Sequence, residues 1–177
     1  NYAIVITTNS GLWRYLIGDT VRFTSLNPYR IRVTGRTKHH INVFGEELMV
    51  ENTDKALAKT CSELGCEVID YTVAPIFMKE QEKGAHEWII EFKTLPSNIE
   101  KFSILLDENL QKLNSDYEAK RYNNMTLNPL KLNIARTNLF YDWLKENDKL
   151  GGQHKIPRLS NERKHLEELL RMQLSHV

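Results

Sequence analysis

The sequence predicts an α+β fold, a short β-meander leading into a small α-β-β-α-β-α domain. Two observations carry this. Between residues 3 and 34 four short strand-like runs are separated only by turn residues. After residue 47 the apolar residues instead recur at helical spacing or alternate in longer blocks.

The opening runs cover residues 3–7, 12–17, 20–24 and 29–34, broken by Asn9-Ser10-Gly11, Gly18-Asp19 and Asn27-Pro28. They make a small, incomplete sheet, whose exposed edge strand invites pairing with a second copy. Next, Val50, Leu57, Cys61 and Leu64 mark a helix that Gly65 closes with a left-handed cap. Ile69, Tyr71 and Val73 alternate, as do Trp88, Ile90 and Phe92, with Glu82-Lys83-Gly84 as the turn region between them; this predicts a hairpin with one buried face. Ser97 with Glu100 reads as a capping box ahead of Ile99, Phe102, Leu106, Leu110 and Leu113, a stripe long enough for about four turns of core helix. Residues 130–135 supply a third strand and 138–146 a short helix holding Trp143. Ser160 or Asn161 caps a last helix with Leu166, Leu169, Leu170 and Leu174 inward. The polar segment 114–128 reads as a long solvated loop. Trp13, Trp88 and Trp143, with Leu and Ile neighbours, read as core residues rather than stacking platforms.

At 177 residues the chain fits one domain, or one domain plus a fragment, and a globule of this size can bury roughly 68–70% of its unfolded surface. A net charge of +1 gives no general attraction to nucleic acid or acidic membranes. No apolar run approaches the roughly 20 residues of a bilayer span, and no basic-then-apolar leader opens the chain, so a cytoplasmic location is the default expectation. Asn1 is not Met and already falls within a strand-like run, which predicts a fragment cut from a larger polypeptide. Cys61 and Cys66 lack the further Cys or spaced His of a zinc site, and His39-His40 would face opposite ways on a strand. Reduced thiols and no structural metal are expected.

Three segments carry chemistry. Gly35-Arg36-Thr37-Lys38, alone, reads as a turn with a solvated charge. Upstream lies a segment that runs from Thr8-Asn9-Ser10 through Gly11-Leu12-Trp13-Arg14-Tyr15 to Gly18-Asp19; downstream lies Gly151-Gly152-Gln153-His154-Lys155-Ile156-Pro157-Arg158. In this order they resemble the ribose-binding motif, hinge and catalytic-lysine motif of the acyl-adenylate-forming enzymes, such as luciferases, acyl-CoA synthetases and peptide-synthetase adenylation domains. Their wording is most similar to the auxin-responsive-promoter family of acyl acid amido synthetases, in a bacterial-type member. The resemblance covers essentially the whole chain but only the carboxyl-terminal portion of the family's length.

The resemblance implies that residues 1–37 are the β-rich end of a large adenylation domain and that residues 38–177 are a mobile carboxyl-terminal lid. It further implies a two-step reaction in which a carboxylate attacks ATP, used with Mg held mainly through the nucleotide and the absent domain, and an amine or thiol then takes the acyl group. Small carboxylic acids, an amino acid and the missing amino-terminal domain are the implied partners. No phosphate loop or acyl pocket precedes Asn1, so this chain alone should lack adenylation activity. Asp19 takes the ribose role, since a carboxylate accepts two hydrogen bonds from vicinal hydroxyls; the bland reading of Gly18-Asp19 is a hairpin turn. Arg36 reaches ribose or phosphate oxygens, or else makes a surface ion pair. Lys38 is the pivot of domain rotation. Gly45 leaves room for the second substrate, or is a plain turn glycine. Lys155 is the catalytic lysine, and His154 is left out of the catalytic set. Asn114-Ser115-Asp116-Tyr117 resembles the family's Asn-x-x-Tyr region, with no chemistry assigned.

Two other readings stay open at this point. One keeps adenylation but transfers to a thiol such as coenzyme A. The other is a freestanding α+β interaction domain in which Gly-Asp and Gly-Arg are turns.

Overall fold

The computed structural model describes residues 2–36, 40–79, 82–151 and 154–175. The opening is an antiparallel meander, β1 (Tyr2–Ile6), β2 (Tyr15–Leu26) and β3 (Tyr29–Arg36), in the order β1-β2-β3. The Asn27-Pro28 turn stands where expected. Gly18-Asp19 does not break the sheet: β2 runs through it, and the extra residues bulge against β1, where Ala3 pairs with Thr20 but Val5 with Leu16. Val21 is the meander's one buried large apolar residue among those described, and Trp13 is 79% exposed, contrary to its reading as core. The reason is local: Trp13 precedes β2 on a three-stranded sheet without a covering layer of its own.

The second part begins with a two-stranded ribbon, β4 (His40–Ile41) and β5 (Leu48–Met49), and α1 (Val50–Leu64). The hairpin β6 (Glu67–Ile76) and β7 (Ala85–Thr94) follows, then α2 (Ile99–Leu113), α3 (Ser115–Arg121), a 3-10 turn, β8 (Lys131–Ile134), α4 (Leu139–Glu146) and α5 (Lys164–Leu174). β6 and β7 are antiparallel, whereas β8 lies parallel to β7, as a strand must when a helical crossover returns it to the same end. The α+β class holds. From α1 onward the order is α-β-β-α-α-β-α-α: the two helices expected after the third strand are both present, and α3 is one more helix after α2 than expected.

The hairpin is covered on both faces, which corrects the expectation of one. Tyr71, Val73, Trp88 and Ile90 pack with Phe102, Leu106 and Leu110 of α2 and Leu57 of α1. Ala74 and Ile89 point the other way and meet Leu139 and Trp143 of α4 and Leu166 and Leu169 of α5. Ile69 is exposed because the β6 register shifts beside it, between Val68 and Asp70.

Gly65 closes α1 in the left-handed conformation, and the Cys66 amide donates to the Cys61 carbonyl at 3.1 Å. Both cysteines are free, and burial, with a hydrogen bond to Cys66, pushes the Cys61 thiol up to about 12. α2 is capped by Asn98, which accepts from the Lys101 amide at 2.8 Å, and not by Ser97. α5 starts at Lys164 without a side-chain cap; Ser160 accepts from the Glu162 amide instead, and Asn161 is engaged elsewhere. The expected loop at 114–128 is helical in its first half. It has a buried side because its polar groups pair: Tyr117 donates to Asp107 at 2.6 Å, and Arg121 grips the same carboxylate at 2.8–3.1 Å. Among the described residues no helix is long and apolar enough to cross a membrane.

Candidate functional site

Asp19 and Arg36 are Cα partners on the last rung of the β2–β3 ladder, immediately before residues 37–39. Thr20, next along β2, is buried, and its hydroxyl lies 3.1 Å from that of Thr34. Lys38 lies outside the described residues, as do Gly152 and Gln153 of the downstream motif.

Lys155 is exposed and stands just before an anchored segment. Ile156 is buried in the core under α4 and α5. The Pro157 carbonyl accepts from the Thr72 hydroxyl at 2.7 Å. Then Val73 donates its amide to the Arg158 carbonyl at 2.9 Å and accepts from the Ser160 amide at 3.1 Å. Leu159 thereby runs parallel to β6 opposite Val73. Arg158 donates to both carboxylate oxygens of Asp54, at 2.8 and 2.7 Å, while its guanidinium lies 5.3 Å from the Tyr71 ring centre. Tyr71 donates to the same carboxylate at 2.6 Å, and burial with the Asp54 charge pushes its pKa up. Asp54, Asp70, Leu57, Cys61, Tyr71 and Arg158 line a cleft of about 330 Å³. Burial raises the Asp70 carboxyl above its ordinary range, a shift moderated by its own hydrogen bond from the Tyr71 amide and by the charges of Arg158 and Lys155.

Gly45 forms the tip of the turn between β4 and β5. Its φ of +79° is left-handed backbone, and a Cβ there would stand 3.3 Å from the Lys120 ammonium of α3. Behind it, Glu46 is fully buried: one carboxylate oxygen accepts from the Phe44 amide at 2.7 Å and the other lies 2.8 Å from His86 Nε2. Burial opposes charge on Glu46, but the hydrogen bonds and charge of His86 and the backbone amides outweigh it and lower its pKa. The His86 ring stacks on Tyr117 at 5.4 Å. Asn114 donates through Nδ2 to the carbonyls of Glu46 and Glu47, at 3.0 and 3.2 Å, and through Oδ1 accepts from the Tyr117 amide at 2.8 Å.

The GH3 family C-terminal domain matches residues 51–164, and the GH3 family central domain matches residues 1–36. The chain belongs to the GH3 family. The indole-3-acetic acid-amido synthetase GH3.3 of Arabidopsis thaliana is 24% identical over 170 residues, spanning 89% of this chain and 28% of that protein. The solved GH3.15 acyl acid amido synthetase superposes with a TM-score of 0.75 at 22% identity, over 98% of this chain and 31% of its own. Its complex with 2,4-DB gives 0.73 at 21%, over 96% and 32%. At these identities the likeness is one of fold, and the chain spans less than a third of each of these proteins. The GH3 relatives are amide-forming ligases by name, which fits the carboxyl-terminal portion of such a ligase.

Of the residues singled out in the sequence, Asp19 and Arg36 meet at one register position. Lys155 stands just before a segment that runs along a different sheet, and its charge is felt by Asp70. Gly45 sits at a third place, beside α3. Sequence reasoning missed Glu46 and His86, which no spacing connects. It quoted Asn114 and Tyr117 without a role; their i,i+3 spacing was a readable helix cap.

Proposed function

We propose that this chain is the carboxyl-terminal portion of an ATP-dependent GH3 ligase that joins a carboxylic acid to an amino acid through an acyl-adenylate, and that it is inactive alone. The observation that carries the reading is the Asp19–Arg36 rung: the candidate ribose-binding residue and a residue type that is permanently charged are Cα partners at the ladder's end, two residues before Lys38. The two domain matches also end and begin on either side of that segment, at residues 36 and 51.

In the first step the acid's carboxylate attacks the α-phosphate and pyrophosphate leaves. All reactants are anionic, so the step needs placed cations more than a nucleophile. Asp19 accepts from both ribose hydroxyls, Arg36 offers donors to ribose or phosphate oxygens, and the Lys155 ammonium bridges the attacking carboxylate and the α-phosphate. Magnesium would be held mainly through the nucleotide and the amino-terminal domain, where it would neutralise phosphate charge. The lid then turns about Lys38. Lys155 leaves, and the Gly45 turn faces the acyl-adenylate with room for the amine. The amine attacks the acyl carbon, a C–N bond forms, AMP departs with the C–O electron pair, and the amine gives up a proton.

The test is ATP–pyrophosphate exchange by the full-length enzyme over indole-3-acetic acid, 2,4-DB and fatty and oxylipin-like acids, followed by mass spectrometry with mixed amino acids. Acid-dependent exchange and an amide product are expected. Exchange that ends in a coenzyme A thioester, with no amide, would replace the acceptor; no exchange with any acid would remove the adenylation reading.

A further inference from the structure

We propose that Asn114 is a positioning residue for acyl transfer, holding the Gly45 turn in shape from the corner between α2 and α3. This deepens the function proposed above and rests on it. A turn that must admit an amine beside an acyl-adenylate needs a defined backbone, yet β4 and β5 supply only two rungs, His40 with Met49 and Ile41 with Leu48. Glu47 adds a left-handed residue at φ +40° right after Glu46, and the turn's own side-chain bonds, from the Phe44 amide to Glu46 and from the Glu47 amide to Asn42, engage amides and leave the Glu46 and Glu47 carbonyls to a partner outside the turn.

Support comes from behind. Both carbonyls that follow Gly45 accept from a single amide nitrogen, that of Asn114. The other end of the same amide caps α3, so the turn inherits the position of the helix corner. That corner is anchored in turn: Tyr117 is 1% exposed, stacks on His86 and donates to Asp107, which Arg121 also grips. His86 reaches back to Glu46, closing a ring of contacts around the turn. A helix cap alone would require only the Asn114 oxygen; the nitrogen's two bonds serve the turn and nothing else.

That division makes the experiment. Asn114→Asp keeps an oxygen to cap α3 but presents a carboxylate to the Glu46 and Glu47 carbonyls, and Asn114→Ser keeps a capping oxygen too short to reach them. In the full-length enzyme, pyrophosphate exchange with whichever of indole-3-acetic acid, 2,4-DB or the fatty and oxylipin-like acids supports it should stay within about twofold for both variants. Transfer to mixed amino acids should fall by about tenfold or more, through the rate constant rather than the acid's KM. Hydrogen exchange at residues 44–47 should quicken in both variants while α3 amides keep their protection. Unchanged exchange at residues 44–47 would show that Asn114 does not hold the turn. Quickened exchange with transfer intact, or with both half-reactions reduced equally, would show that the hold does not serve transfer. Absence of pyrophosphate exchange with every acid of the panel in the unaltered enzyme overturns the adenylation reading itself and this proposal with it, so the two failures are told apart.

Discussion

Arg158 meets both carboxylate oxygens of Asp54, at 2.8 and 2.7 Å, across 104 residues of sequence. The contact fixes the chain three residues after Lys155 to α1. Each side chain is more than two-fifths exposed, and exposed pairs contribute only about 0.2–1 kcal/mol. Asp54→Ala in the full-length enzyme should therefore slow pyrophosphate exchange by no more than about fivefold, by loosening the segment that carries Lys155. A hundredfold loss would mean that Asp54 touches reactants directly.

Lys155→Ala should behave differently. Loss of one preorganised transition-state donor costs about 3–4 kcal/mol, or roughly 10²–10³ in rate. Exchange should fall at least that far, while transfer from supplied acyl-adenylate should survive, since the proposed rotation carries Lys155 out of the site before that step. Near-normal exchange would return Lys155 to an ordinary surface lysine.

Asp19→Ala should raise the KM for ATP and slow adenylation, since the proposed ribose anchor would also orient the α-phosphate. Lys38→Pro should spare adenylation and slow transfer, because proline restricts the backbone dihedrals that a pivot must change. Equal loss of both half-reactions in the Pro variant would remove the case for that hinge.

Acid stability should report Glu46. Its folded pKa lies below the reference 4.5, so its stabilising contribution is complete above that value and is lost as pH falls through the lowered folded value. Glu46→Gln should cost about 1–3 kcal/mol at neutral pH and flatten the loss below pH 4.5. Urea unfolding at a series of pH values measures both; parallel curves for the two proteins would show that Glu46 does not drive the dependence.

The hairpin should be the most protected part of the chain. The middle of β6 and β7 is covered on both faces, whereas most large apolar residues of β1–β3 are exposed. Hydrogen exchange slower in residues 3–34 than in β7 of a monomer would reverse this order.

The long periodic elements were legible because burial on one side writes a repeating pattern: α1 with Gly65, the α2 stripe and the alternation of Trp88 and Ile90 all stand where the spacing put them. The second covered face of the hairpin was not, since Ala74 and Ile89 read as gaps in an alternation until α4 and α5 lie over them. Residues 114–128 misled for a related reason. Tyr117 and Arg121 are buried through pairing with Asp107, and polar burial leaves no apolar period. The same holds at the candidate site: Asp19, Arg36 and Lys155 stand in recognisable wording, whereas Glu46 and His86 become partners only through the fold.

Asn161 accepts from the Asn42 amide at 2.9 Å and donates to the His40 carbonyl at 2.9 Å. The first residues beyond the proposed pivot are thus latched to a residue just past the Lys155 segment, which β6 holds in its turn. In mechanical terms the proposed lid would be a crank with its handle keyed to its axle. An angular change at Lys38 would then be delivered to Lys155 without slack, so the proposed withdrawal of the ammonium and arrival of the Gly45 turn would be one stroke rather than two events that must be timed against each other.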